Sequence, residues 1–142
     1  MLTFFETKKT KHQKSHLRNL IALAKTDGFM SDSEIEYIFR VGDKMGLKYE
    51  DTQAVLEDVS VYDFVKPSND DERFNEIFNL VQLMLVEGKI EDAEMDFCIE
   101  IARKSGVRPA IAGVLVRKIT MDLMKGLNKE TIKAQVKSFL LM

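Results

Sequence analysis

Apolar residues recur along this chain at steps of three and four positions, the spacing that places them on one face of an α-helix. The pattern predicts seven helices, over about residues 12–26, 32–46, 50–59, 70–87, 92–105, 108–124 and 129–141. In the fourth segment Leu80 and Leu83 extend the apolar stripe to further sides, so we expect that helix to be central. No segment alternates apolar and polar residues between turn pairs, as hairpin strands do. The predicted fold class is therefore all-α.

Proline and capping residues mark the same boundaries. Pro67 blocks a helix, and Ser68 or Asn69 can cap the helix that follows. Pro109 suits the first turn of the sixth helix, and Asn128 can cap the seventh. The connections between the segments are short, which is typical of helices packed in one compact bundle.

The composition fits one folded domain. The chain has 142 residues, 45% of them apolar, which is enough for a buried core. We predict a single helical domain over residues 12–142, preceded at residues 1–11 by either a flexible basic arm or a solvated first turn. One cysteine, no signal pattern at the start and no apolar run near the roughly 18 residues of a membrane span indicate a cytoplasmic protein.

Charge is unevenly distributed along the chain. Residues 27–100 hold twenty acidic and six basic residues, whereas the flanking segments are basic. An acidic region of this kind attracts cations or a basic surface of a partner protein, although solvated helix faces would give the same pattern. The basic ends lack interleaved aromatic residues, so we expect no nucleic-acid binding. The basic segment 125–137 leaves peripheral membrane association open.

An internal repeat appears when the chain is laid on itself with an offset of 60 residues. Residues 27–47 read DGFMSDSEIEYIFRVGDKMGL, and residues 87–107 read EGKIEDAEMDFCIEIARKSGV. The identical pairs are Gly28 with Gly88, Asp32 with Asp92, Glu34 with Glu94, Lys44 with Lys104 and Gly46 with Gly106. The core positions 35, 38, 39 and 42 fall on 95, 98, 99 and 102. We expect two pseudo-equivalent helical hairpins, within about residues 16–47 and 76–107, with glycines ending helices in a left-handed conformation.

Each repeat contains a turn of the pattern acid-Gly-x-apolar-x-Asp-x-Glu. Carboxylates crowded at a turn repel one another unless a counter-charge neutralises them, and hard cations such as Ca²⁺ or Mg²⁺ take oxygen ligands. The turns therefore predict a divalent-cation site, with Ca²⁺ or Mg²⁺ favoured over Zn²⁺.

Helix capping is the alternative explanation of the same acids. Ser31 and Glu34 form a capping-box pattern, and an acid in the first turn of a helix is favoured by the helix dipole. Capping explains Asp27 and Glu87 less well, because an acid just after a helix C-terminus opposes the dipole.

The turn also matches the second half of an EF-hand loop, with glycine at loop position 6 and glutamate at position 12. Loop positions 1 and 3 must then supply oxygen ligands. They fall on Leu23 and Lys25 in the first copy, and on Leu83 and Leu85 in the second. These residues rule out a standard EF-hand, so a metal site here needs ligands from elsewhere in the fold.

The acidic-glycine turns and the helical layout resemble the tellurite-resistance TerB family, whose domain is similar to the N-terminal region of the DjlA co-chaperones. The family pattern, Ala-x-x-Asp-Gly and five variable residues before Glu, reads Ala24 to Gly28 and then Glu34 here. The second copy has Glu87, Gly88 and Glu94, with glutamate in place of the aspartate. The resemblance covers roughly residues 12–122.

The resemblance implies a fold of about seven helices and a divalent-cation site built from acids of both halves. The ligands it implies are Asp27 and Glu34 from the first copy, and Glu87 and Glu94 from the second. It also implies a role in the response to tellurite or other chemical stress. We expect a non-enzymatic module of this kind, or alternatively a metal-independent protein–protein interaction module that uses its acidic surface.

Other reactive residues have simpler explanations. His12 and His16 lie four positions apart, but Gln13 follows where a metalloprotease motif needs glutamate, so we interpret both as surface histidines. Cys98 lies on an apolar face and is typical of a core thiol. Met121, Met124 and Met142 could line an adaptable surface. No residue is expected to be catalytic.

Overall fold

A computed structural model of the chain describes residues 6–140, and the side chains of residues 6–138. The helices of these residues are α1 (Lys8–Ala24), α2 (Asp32–Lys44), α3 (Tyr49–Glu57), α4 (Asp70–Leu85), α5 (Asp92–Lys104), α6 (Pro109–Met124) and α7 (Lys129–Leu140), with a short 3₁₀ helix at Val59–Val61. The described residues contain no strand. The prediction of an all-α protein of about seven helices is confirmed.

The predicted caps form at several helix starts. The side chain of Asn69 accepts a hydrogen bond from the Glu72 backbone N–H at 2.9 Å, and that of Asn128 accepts one from Thr131 at 2.8 Å. Helix α1 begins four residues earlier than predicted, because Thr7 caps it through the Thr10 backbone N–H. The lysines of residues 8–11 are therefore in the first turn of a helix, while residues 1–5 lie outside the described part.

The chain divides into two compact units, one ending at Val65 and the other beginning at Lys66. In the first unit α1 contacts α2, α3 and the 3₁₀ helix, and α2 contacts α3. The largest buried apolar side chains come from α1 and α2, and they are Leu17, Leu20, Ile21, Leu23 and Ile38. Each unit has its own helix contacts, and the single domain over residues 12–142 remains a prediction.

In the second unit α4 contacts α5, α6 and α7, α5 contacts α6, and α6 contacts α7. Helix α4 is apolar on several sides and is in contact with every other helix of its unit, as expected for a central helix. None of the described helices is long and apolar enough to cross a membrane.

The repeat is present in the structure as two three-helix sets, α1–α3 and α4–α6. The first residues of α2 and α5, and those of α3 and α6, have numbers that differ by 60. Gly28, Gly46, Gly88 and Gly106 all have positive φ, between 75° and 110°, which is the left-handed conformation expected after a helix. At the four core positions burial also repeats: residues 38, 42, 98 and 102 are buried, and residues 35, 39, 95 and 99 are half-buried.

Candidate functional site

The first acidic turn joins α1 to α2. Gly28 has φ 104°, and the preceding Asp27 is exposed and accepts a hydrogen bond from the backbone N–H of Phe29 at 3.3 Å. The Phe29 side chain is 67% exposed. Asp32, in the first turn of α2, is exposed as well. The turn thus presents a large apolar side chain beside two carboxylates.

Glu34, a predicted cation ligand of this turn, is part of the helix cap. Its carboxylate accepts a hydrogen bond from the backbone N–H of Ser31 at 2.8 Å, and the Ser31 hydroxyl accepts one from the Glu34 backbone N–H at 3.1 Å. The capping box predicted as the alternative explanation is therefore formed. The Glu34 side chain is buried, so its carboxylate satisfies the backbone at the start of α2.

The second acidic turn joins α4 to α5 and has the same backbone but a different cap. Gly88 has φ 75°, Glu87 is exposed and Ile90 is 43% exposed. The residue at the cap position is Glu91, whose side chain makes no capping hydrogen bond. Glu94 is buried, like Glu34 in the first copy. Each turn therefore combines an exposed acid just before the glycine, an exposed apolar side chain shortly after it, and a buried glutamate in the first turn of the next helix.

The four predicted cation ligands fall in both units, Asp27 and Glu34 in the first and Glu87 and Glu94 in the second. In each unit one acid is exposed and the other is buried. Among residues 6–140 as described, no three His, Cys, Asp or Glu side chains are grouped so that they could hold a metal ion. The cation site stays a prediction.

A groove between the second half of α2 and the start of α3 was not predicted. It has a volume of about 350 Å³, and its wall contains Phe39 and Tyr49, whose rings stack with centroids 4.7 Å apart and planes 16° apart. The periodicity places Phe39 on the core stripe of α2, but in the structure it is only half-buried, and Tyr49 is 68% exposed. The repeat itself carries a signal for this groove, because the positions that correspond to Phe39 and Tyr49 hold Ile99 and Pro109.

The rim of the groove is charged and its floor is buried. Glu36 and Arg40 form an ion pair of 3.3 Å in which both side chains are exposed, and Asp43 lies one helical turn further along α2. Leu47 and Thr52, which are 8% and 1% exposed, line the bottom. This groove, lined by Glu36, Phe39, Arg40, Asp43, Leu47, Tyr49 and Thr52, is called the aromatic groove below.

Two of the other predictions can be compared with the structure. The interpretation of His12 and His16 as surface residues is wrong: both are buried, because they lie on the same face of α1 as the core residues Leu20 and Leu23. Cys98 is fully buried, and burial raises the pKa of its thiol to about 12, so it is an unreactive core thiol as predicted.

The methionines of α6 were predicted to line an adaptable surface. Met121 and Met124 are exposed, and Met142 lies outside the described residues.

Comparison of the chain with family models, with curated proteins and with solved structures gives no match. The likeness to the TerB family therefore rests on the residues of the repeated turns and on the helical layout.

Proposed function

We propose that this chain is a non-enzymatic, TerB-like helical module that binds a basic protein partner through its two acidic-glycine turns. The observation that carries the proposal is the exposed apolar side chain beside exposed acids in both turns, Phe29 with Asp27 in the first and Ile90 with Glu87 in the second. A large apolar side chain held in water gains free energy when a partner covers it, and flanking carboxylates select a basic partner.

Backbone geometry supports the same conclusion. The left-handed Gly28 and Gly88 reverse the chain within a few residues, so each apolar side chain stands on a short turn between two helices. A short turn between two helices has fewer conformations to lose than a long loop, which limits the ordering entropy lost on binding. The capping box at the start of α2 also holds the backbone at the end of the first turn.

The proposal is tested by capture of partners on the immobilised full chain. We expect proteins captured by the native chain to be lost with a Phe29→Ser/Ile90→Ser variant, to be released by salt and to be retained in the presence of a chelator. Val61→Ser is the matched control, because Val61 is also exposed but lies far along the chain from both turns. Capture of the same proteins by the native chain and by the Phe29→Ser/Ile90→Ser variant would contradict the proposal.

A second candidate function is the binding of a divalent cation by acids of the turns, with Ca²⁺ or Mg²⁺ preferred to Zn²⁺. The observation in its favour is that Asp27 and Glu87 are exposed just after the C-termini of α1 and α4, where a negative charge opposes the helix dipole. Calorimetric titration of chelator-treated protein with the three ions tests it, with Asp27→Asn/Glu87→Gln as the variant. Saturable binding that this variant abolishes would support the cation site, and the absence of heat and of thermal stabilisation would oppose it.

The biological setting is proposed from the resemblance. A TerB-like module would act in the cytoplasm during the response to tellurite or other chemical stress. Growth of cells that lack the protein, with and without tellurite, tests this role, and restoration by the native chain but not by the Phe29→Ser/Ile90→Ser variant would connect it to the turns.

A further inference from the structure

The aromatic groove lies wholly within the first unit, and its chemistry differs from that of the turns. Its volume of about 350 Å³ exceeds that of a single side chain, so it has room for a side chain together with part of a peptide backbone. Its wall is aromatic, its rim carries the carboxylates of Glu36 and Asp43, and its floor is buried. Each of these parts limits what can bind there.

The aromatic wall is partly exposed. Tyr49 stacks on Phe39, yet 68% of Tyr49 remains exposed, so much of its ring is accessible to a ligand. The π-face of such a ring attracts a cation, and a planar guanidinium can stack on it as well.

The rim supplies the opposite charge. Glu36 and Asp43 lie two helical turns apart on α2, on either side of Phe39. The Glu36–Arg40 ion pair is exposed on both sides, and exposed pairs of this kind contribute little to stability. An incoming cation can therefore share the Glu36 carboxylate with Arg40 at small cost.

The floor accommodates an aliphatic stem. Leu47 closes the bottom of the groove with an apolar surface, beside Thr52. Arginine and lysine side chains lie along apolar surface with their methylene groups while the charged end meets carboxylates or water. Of the two, arginine fits better, because its guanidinium stacks on aromatic rings and forms paired hydrogen bonds with carboxylates.

The second copy of the repeat shows that this chemistry is not a consequence of the fold alone. Positions 36, 39, 43, 47, 49 and 52 correspond to Asp96, Ile99, Arg103, Val107, Pro109 and Ala112. The second copy thus has no aromatic ring at either wall position, and its charges are differently ordered, with Arg103 where the groove has Asp43 and Glu100 where the groove has Arg40. Residues 27–58 also carry nine acids and three basic residues, so the surroundings of the groove attract a basic partner.

We propose that the aromatic groove binds an arginine side chain of a basic peptide segment in the partner protein. The guanidinium packs against the exposed ring of Tyr49 and meets Glu36 and Asp43, and the stem lies over Leu47. This inference rests on the proposed function, since it names the chemical group by which the partner is recognised.

The test uses the full chain, labelled with ¹⁵N, and the blocked peptide acetyl-Gly-Arg-Gly-Arg-Gly-amide, followed by NMR. We expect the amide shifts to concentrate in residues 36–52 and to saturate. The same peptide with norleucine in place of arginine should not bind. The lysine peptide should bind more weakly than the arginine peptide, and lysine binding at equal strength would overturn the preference for a guanidinium.

Variants at exposed positions separate the ring from general charge. Tyr49→Leu should weaken binding roughly fivefold, as expected for loss of a cation–π contact, and Tyr49→Phe should not. Asp43→Asn should weaken binding by a similar factor. Asp96→Asn, which removes an acid at the position corresponding to Glu36 in the second copy, is the matched control and should have no effect.

Three results would overturn the inference. The first is the absence of saturable shifts with the peptide. The second is a loss of binding with Asp96→Asn as large as that with Asp43→Asn, which would indicate non-specific attraction to acidic surface. The third is a dimer in sedimentation of the protein alone that Tyr49→Leu dissociates, in which case the groove is occupied by a second copy. The capture experiment is independent, because its variants change Phe29 and Ile90 and leave the groove intact.

Discussion

The corner where α2 meets α3 and the corner where α5 meets α6 occupy corresponding places in the repeat, yet their surfaces differ. In the first, Phe39 and Tyr49 form an exposed aromatic stack, and in the second the same positions hold Ile99 and Pro109. The backbone is the same in outline, since both corners contain a left-handed glycine and the helices begin 60 positions apart. The comparison teaches that the repeat preserves the helical frame while surface chemistry diverges.

The buried residues at the two corners also differ, and in the first corner the sizes of the two facing residues are matched. Gly42 and Thr52 in the first copy correspond to Ala102 and Ala112 in the second, and all four are buried. A Cβ added at Gly42 would lie 2.4 Å from Oγ1 of Thr52, well inside van der Waals contact. The first copy thus combines no side chain at one position with a larger one at the other, whereas the second has two alanines.

The largest expected effect comes from breaking this complementarity. Gly42→Ala should lower the free energy of unfolding by about 1–2 kcal/mol, because the cost of overpacking exceeds the gain of about 1 kcal/mol in helix propensity. Gly42→Ala/Thr52→Ala, which reproduces the second copy, should recover most of the loss. Urea denaturation measures both.

The matched control for this pair is in α6. Gly113 also lies within a helix, but there the close contact of an added Cβ would be with the end of the flexible Arg117 side chain, at 2.8 Å, and Ile99 lies at an ordinary van der Waals distance of 3.9 Å. Gly113→Ala should therefore be neutral or stabilising by up to about 1 kcal/mol. A double variant at 42 and 52 that is no more stable than Gly42→Ala would show that Thr52 is not what the new methyl group meets.

The caps of α2 and α5 provide a smaller contrast. Ser31→Ala should destabilise the protein by about 1 kcal/mol, because the Glu34 backbone N–H loses its acceptor. Glu91→Ser should stabilise it by about 0.5–1 kcal/mol, since Glu94 already stands where a capping box needs it. Thermal unfolding of both variants beside the native chain measures the difference, and a destabilising Glu91→Ser would mean that the second turn cannot adopt the cap of the first.

The smallest effects concern one ion pair in each unit. In the first, burial lowers the pKa of Lys14, but the hydrogen bond and the charge of Glu6 outweigh it and the net shift is upward. In the second, the hydrogen bond and charge of Lys133 lower the pKa of the exposed Asp71, at 2.9 Å. Glu6→Gln should cost more stability than Asp71→Asn, because the first pair is more buried. Urea denaturation at low and at about 0.5 M salt measures this, since salt screens the exposed pair more.

The pKa shifts of Lys14 and Asp71 should also act at opposite ends of the pH scale. A raised lysine pKa stabilises the folded state below the pKa of the unfolded chain, and this contribution is lost as pH rises through the folded pKa of Lys14. A lowered aspartate pKa stabilises above the unfolded value, and that contribution is lost as pH falls through the folded pKa of Asp71. The difference in the free energy of unfolding between the native chain and Asp71→Asn should therefore vanish in acid. A difference that persists there would show that the pair acts through packing.

Most helix boundaries could be predicted because their signals are local. Asn69 and Ser31 cap helices through backbone groups three residues away. Pro109 begins α6 because its fixed φ suits the first helical position, which is also a local preference. The start of α1 was missed because the stripe of apolar residues begins at Leu17, whereas the cap at Thr7 lies well before it. The burial of His12 and His16 was missed for another reason, because two histidines at helical spacing look alike on an inner and on an outer face until the helices are packed.

The sequence by itself determined the all-helical frame, the repeat and the left-handed turns, because these depend on periodicity and on residues within a few positions of one another. Tertiary structure decided the aromatic groove. Phe39 and Tyr49 belong to different helices, and their stacking depends on how α2 and α3 pack, which is set by the fit of Gly42 against Thr52. A half-buried aromatic side chain has the same periodicity as a core residue, so only the packed helices distinguish the two.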